Sequence, residues 1–95
     1  MKAYVIGEID VTDAVTYEEF RKKITVLNAK YSGKFLVRAG KVEALDGDWK
    51  PERLIVIEFP SKAKALAWFR SPQFAPLQDM RRKASRGKLV LVEGL

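Results

Sequence analysis

The chain has 95 residues, carries 18 Lys and Arg against 12 Asp and Glu for a formal charge of +6, and contains neither His nor Cys. That length allows one domain, residues 1–95. The missing Cys excludes disulfides and thiolate chemistry, and the missing His removes the commonest general base, the usual haem ligand and most transition-metal sites.

Ala3 to Val11 reads as a first strand, with Tyr4, Ile6, Glu8 and Asp10 on one face and Val5, Gly7, Ile9 and Val11 on the other. Asp13 and Thr16 both offer helix-start chemistry, and Thr16 with Glu19 fits a capping box. The helix then runs to about Tyr31, with Phe20, Ile24, Leu27 and Tyr31 spaced as one apolar stripe. Gly33 sits where a left-handed residue commonly stops a helix. Lys34 to Ala39 is a second strand, with Phe35, Val37 and Ala39 alternating against Leu36 and Arg38. Gly40 marks a bend or bulge, Lys41 to Leu45 extend the strand, and Asp46-Gly47-Asp48 is a turn before Trp49.

Leu54 to Phe59 is the most apolar strand, with Ile55, Ile57 and Phe59 on one face and Leu54, Val56 and Glu58 on the other. Pro60 ends it and Ser61 caps a helix over about Lys62 to Arg70. The spacing puts Ala63, Leu66, Ala67 and Phe69 inward and leaves Trp68 at the margin. Ser71-Pro72 repeats the cap-and-proline signal. A last helical piece runs from about Pro76 to Ser85 with Leu77, Met80 and Ala84 inward, and Gly87 ends it. Lys88 to Val92 is the fourth strand. The order predicts a ferredoxin-like βαββαβ α+β sandwich with a four-stranded antiparallel sheet and helices on one face.

Helices on one side leave the other side bare, yet the strands are apolar on both. An open apolar sheet face exceeds what monomers usually expose. The expected remedy is a homodimer packed sheet to sheet, a dimeric α/β barrel. No apolar run approaches the roughly 20 residues that span a bilayer, and no signal peptide is legible, so a cytoplasmic protein is expected.

The pieces GKFLVRAG (33–40), GDWKPERLIVIEFPS (47–61), ALAWFRSPQF (65–74) and LVLVEG (89–94) resemble domain-of-unknown-function family 1330, of the dimeric α/β-barrel superfamily. The resemblance spans nearly the whole chain and implies the same fold and dimer. It implies no reaction. Ala39 stands where Gly is expected, and Phe69 and Phe74 where Tyr is common. More distant members of the superfamily include cofactor-free monooxygenases, isomerases and haem enzymes, the last disfavoured here because no His can serve as axial ligand.

Arg38 and Glu58 are the polar exceptions on apolar strands, and pairing of the second and third strands would make them neighbours. As a structural feature they would be a buried ion pair that fixes register or dimer. As a catalytic pair, Arg38 would hold an anionic substrate and Glu58 would act as base, since burial raises a carboxyl pKa. Trp68, Phe69, Ser71 and Phe74 surround the second helix break, as core or as the wall of a ligand cleft. Ser71 reads as a cap, because no G-x-S-x-G surrounds it and no His can activate it. Trp49 lies on a loop, to pack at the interface or to cover a pocket. Tyr17 and Tyr31 can turn a hydroxyl toward the cleft. Arg81, Arg82, Lys83 and Arg86 crowd a helix end, where cations suit the dipole or bind phosphate. GKFLVRAG faintly echoes an RNA-recognition strand but lacks paired stacking aromatics, which argues against nucleic acid. No nucleotide or metal motif is present.

The sequence therefore points to a small homodimer that binds a small, mainly apolar or anionic ligand between helices and sheet. Any chemistry would be cofactor-free acid/base work or oxygenation. The alternatives are a non-catalytic binding module and an anion or nucleic-acid binder.

Overall fold

Period-two alternation along the first strand appears directly as burial. In a computed structural model describing residues 1–95, β1 (Ala3–Val11) buries Ala3, Val5, Gly7 and Ile9 and leaves Tyr4, Ile6 and Glu8 half-buried. The remaining elements are α1 (Ala14–Lys30), β2 (Lys34–Arg38), β3 (Leu54–Phe59), α2 (Lys62–Phe69), α3 (Phe74–Ala84) and β4 (Ser85–Glu93). The strands form one antiparallel sheet in the order β2-β3-β1-β4, as the ferredoxin-like expectation requires. No helix is long and apolar enough to cross a membrane.

The core lies between the helices and one sheet face. Val5, Ile9, Ile57 and Phe59 meet Phe20, Ile24 and Leu27 of α1, Trp68 of α2 and Leu77 of α3. Fully burying side chains of this size is worth about 1.5–3 kcal/mol each. The opposite face has no cover from this chain: Val37, Val90 and Val92 are 40, 59 and 46 % exposed.

Several local features differ from the sequence expectation. Asp13, not Thr16, caps α1: its Oδ1 accepts from the Thr16 N–H at 3.2 Å and its Oδ2 from the Thr16 hydroxyl at 2.8 Å. The left-handed residue after α1 is Ser32, φ 61°, rather than Gly33. Gly33 is small for another reason, since a Cβ there would lie 2.6 Å from Cε1 of Phe59. The stretch from Gly40 to Arg53 forms neither helix nor strand, so no extension of β2 exists. Helix α3 starts at Phe74, which places Pro76 in its first turn. The N–H groups of that turn lack intrahelical partners, so a proline costs little there. Gly87 lies inside β4 opposite Ile9 and ends no helix.

The inward face of α2 also differs. Ala65 and Trp68 are buried, while Ala63, Ala67 and Phe69 are exposed. Trp68 was expected at the margin and is 2 % exposed; Phe69 was expected inward and is 42 % exposed. A helix of eight residues is too short for its stripe to settle which of two adjacent aromatics turns in.

Candidate functional site: an arginine-lined apolar cleft

A bulge decides what faces the helices on β2. Phe35 pairs with Ile57, but the register then shifts, so that Val37 pairs with Val56 and Arg38 with Ile55. The extra residue at Leu36 carries Arg38 onto the helix side of the sheet. Glu58 pairs with Tyr4 and Lys34 on the opposite, open side. Arg38 and Glu58 are therefore not neighbours, and the expected ion pair between them is absent. Glu58 instead meets Lys2 at 3.3 Å and Lys34 at 3.9 Å. Arg38 lies over the Phe35 ring, 4.4 Å from its centroid, and donates to the Thr25 hydroxyl at 2.7 Å.

Between α1, α3 and the sheet is a cleft in which eleven of fifteen lining residues are hydrophobic. The other four are all arginine: Arg21, Arg38, Arg53 and Arg81. Arg53 extends the alternation of Ile55, Ile57 and Phe59 onto the helix side, and its guanidinium lies 5.3 Å from the Tyr17 ring centroid. Arg81 continues the α3 stripe of Phe74 and Leu77 and is 7 % exposed. Its Nε and Nη2 both donate to Oε1 of Gln78. Burial pushes the Arg81 pKa down, and the neighbouring Arg82 acts in the same direction. Burial raises the Tyr17 pKa, against the opposing pull of Arg53, so the phenol stays protonated at neutral pH.

Of the residues expected at a ligand site, Arg38, Trp68 and Phe74 line this cleft. Trp68 packs edge-on to Phe74 with centroids 4.6 Å apart, and its buried indole N–H has no hydrogen-bond partner. Ser71 is beside the cleft: its hydroxyl donates to the Trp68 carbonyl at 2.9 Å and accepts from the Phe74 N–H at 3.2 Å, fastening the two aromatics together. Phe69 lines a separate groove beside β4. Trp49 is 62 % exposed on the irregular stretch, and Glu58 is on the sheet's far side. Arg53 and Arg81 were not singled out as cleft residues, although both stand in phase with the buried stripes of their own elements. The basic cluster divides accordingly: Arg81 turns inward, while Arg82, Lys83 and Arg86 stay exposed.

The cleft is narrow, about 40 Å³, room for a few waters. A ring-bearing ligand therefore requires it to open. Ala39 and Arg53, which flank the irregular turn region, both line it.

The profile of the domain of unknown function DUF1330 matches residues 2–95. Among solved structures, a protein of unknown function from Rhodopseudomonas palustris shares 17 % identity over 99 % of this chain and 82 % of its own, with a TM-score of 0.77. SnoaB, a cofactor-independent oxygenase from Streptomyces nogalater, shares 14 % identity over 99 and 93 % of the two chains, with a TM-score of 0.70. A dimeric ferredoxin-like protein of unknown function from Jannaschia sp. shares 13 % identity over 99 and 100 %, with a TM-score of 0.68. No curated protein matches the chain. These likenesses establish the ferredoxin-like fold.

Proposed function

The chain belongs to the DUF1330 family, and from that premise we propose that it is a homodimer whose subunits each bind a small, mainly apolar molecule in the helix–sheet cleft. The observation that carries the ligand is the lining itself, eleven hydrophobic residues with polar groups confined to a few positions, which is the usual make-up of a small-molecule site. The dimer is supported by the open sheet face, where Val37, Val90 and Val92 stand exposed beside Ile6 and Val56. Pairing two such faces would remove apolar surface from water at about 25 cal/mol per Å². The dimeric state of the Jannaschia neighbour points the same way. In that dimer Glu58, held by Lys2 and Lys34, would lie at the interface.

Binding without proton abstraction is the reading the lining favours. No carboxylate lines the cleft, and the chain has no His to serve as base. Glu58 is on the wrong side of the sheet to remove a proton from a cleft-bound molecule. Arg38, on the helix side, would stabilise negative charge only if chemistry occurred there. A second reading, oxygenation of a substrate that arrives already ionised, is supported by the likeness to SnoaB.

Two measurements test the proposal. Sedimentation at micromolar concentration is expected to give a dimer, and a clean monomer would reject that half. Saturation-transfer NMR with a panel of small aromatic alcohols, amides and acids is expected to show binding by several members. Binding by none would reject the ligand.

A further inference from the structure

The positive charge of the cleft is unbalanced. Arg21 pairs with Glu18, whereas none of Arg38, Arg53 and Arg81 forms an ion pair with a carboxylate. Arg81 is the extreme case, because it is buried and its only polar partner is one amide oxygen. That oxygen engages Nε and Nη2 and leaves Nη1 with no partner in the chain. A buried guanidinium without a counter-charge is costly. The other polar side chains of the lining are donors as well: the protonated Tyr17 hydroxyl and the unpartnered Trp68 indole N–H. Apart from the Tyr17 oxygen, the lining offers no side-chain acceptor.

A ligand complementary to such a lining has an acceptor-only head and an apolar body. The planar guanidinium fork matches a carboxylate, which it can hold with two parallel hydrogen bonds. A phosphate is bulkier and doubly charged, and only one of the three unpaired arginines is buried: Arg38 is already engaged by Thr25 and Phe35, and Arg53 lies over Tyr17. We propose that the cleft takes a small aromatic monocarboxylate, its carboxylate on Arg81 and its ring among Phe20, Ile55, Trp68 and Phe74. The proposal rests on the cleft being the ligand site, and it adds the ligand's class.

The test compares phenylacetate with phenylacetamide, a neutral molecule of nearly the same shape, in a Trp49→Phe background where Trp68 is the only indole. Titrations at neutral pH and low salt, followed by Trp68 emission, are expected to give phenylacetate an affinity at least about tenfold higher, the scale of one charge-assisted hydrogen bond. Arg81→Met removes the receptor of the carboxylate. Gln78→Glu supplies an internal carboxylate in its place, and carries the test should Arg81→Met not fold. Both are expected to abolish the preference, bringing the affinity for phenylacetate down to that for phenylacetamide measured in the same variant. Equal affinities for the two molecules would overturn the carboxylate assignment while leaving the apolar cleft standing. Binding by neither, up to tens of millimolar, would overturn both. A preference that survives both substitutions would place the anion on another arginine, in the lining or outside it, and overturn the assignment.

Discussion

One amide oxygen restrains the buried guanidinium: Gln78 Oε1 accepts from Nε of Arg81 at 3.2 Å and from Nη2 at 3.0 Å. Gln78 is itself only 9 % exposed, so the pair is largely shielded. Gln78→Leu would leave Arg81 buried without its protein acceptor and is expected to cost about 2 kcal/mol. Urea denaturation is the measurement: the midpoint should fall with the slope unchanged.

Ala39 has φ 59°, a left-handed conformation that costs an L side chain about 1–2 kcal/mol. The family resemblance expects Gly at this position, and the backbone explains why. Ala39→Gly relieves the strain and gives back up to about 1 kcal/mol to the freer unfolded chain. A net gain of about 0.5 kcal/mol is expected. Ala39→Val should lose more than about 1 kcal/mol, because a β-branched residue fits that region worst. Equal stability of the two variants would contradict the assigned conformation.

Asn28 is 2 % exposed, and both polar atoms of its side chain are buried without partners. Asn28→Leu, which keeps the number and branching of side-chain heavy atoms and is free of that penalty, is expected to raise stability by about 1 kcal/mol. Thermal unfolding checks it, with a rise of several degrees in Tm for a domain of this size.

The cap of α1 gives a pH dependence. Hydrogen bonds from Thr16 hold the Asp13 carboxyl below its ordinary pKa. A group depressed on folding stabilises fully above its unfolded pKa of about 4, and loses that contribution as pH falls through the lower folded value. Asn caps a helix about as well as Asp but does not titrate in this range. The difference in Tm between the native chain and Asp13→Asn should therefore be steady at neutral pH and drift against the native chain below about pH 4. An unchanging difference down to pH 2 would contradict the assignment.

Much of the fold was legible because its signals are local and repeated. The stripe of Phe20, Ile24 and Leu27 and the alternation of β1 each recur over enough residues to fix a face. The cleft was harder to read. Counting by twos along β2 puts Arg38 opposite Phe35, and the bulge at Leu36, set by pairing with a strand distant in sequence, puts them on the same side. Arg53 and Arg81 were legible in principle, since 53, 55, 57 and 59 share a strand face and 74, 77, 81 and 84 share a helix face. Their charge suggested solvent, because arginines are seldom buried unless paired. The unpaired burial of Arg81 is what the sequence could not display, and it points to the cleft.

Two-dimensional proton–nitrogen NMR of the native chain with added phenylacetate tests the central claim most directly, because it locates the anion as well as detecting it. The account predicts that the Trp68 indole and the Arg81 Nε–H resonances move together and saturate, while the Trp49 indole stays in place. Shifts confined to Trp49 or to Arg82 and Arg86, with Trp68 and Arg81 unmoved, would contradict it.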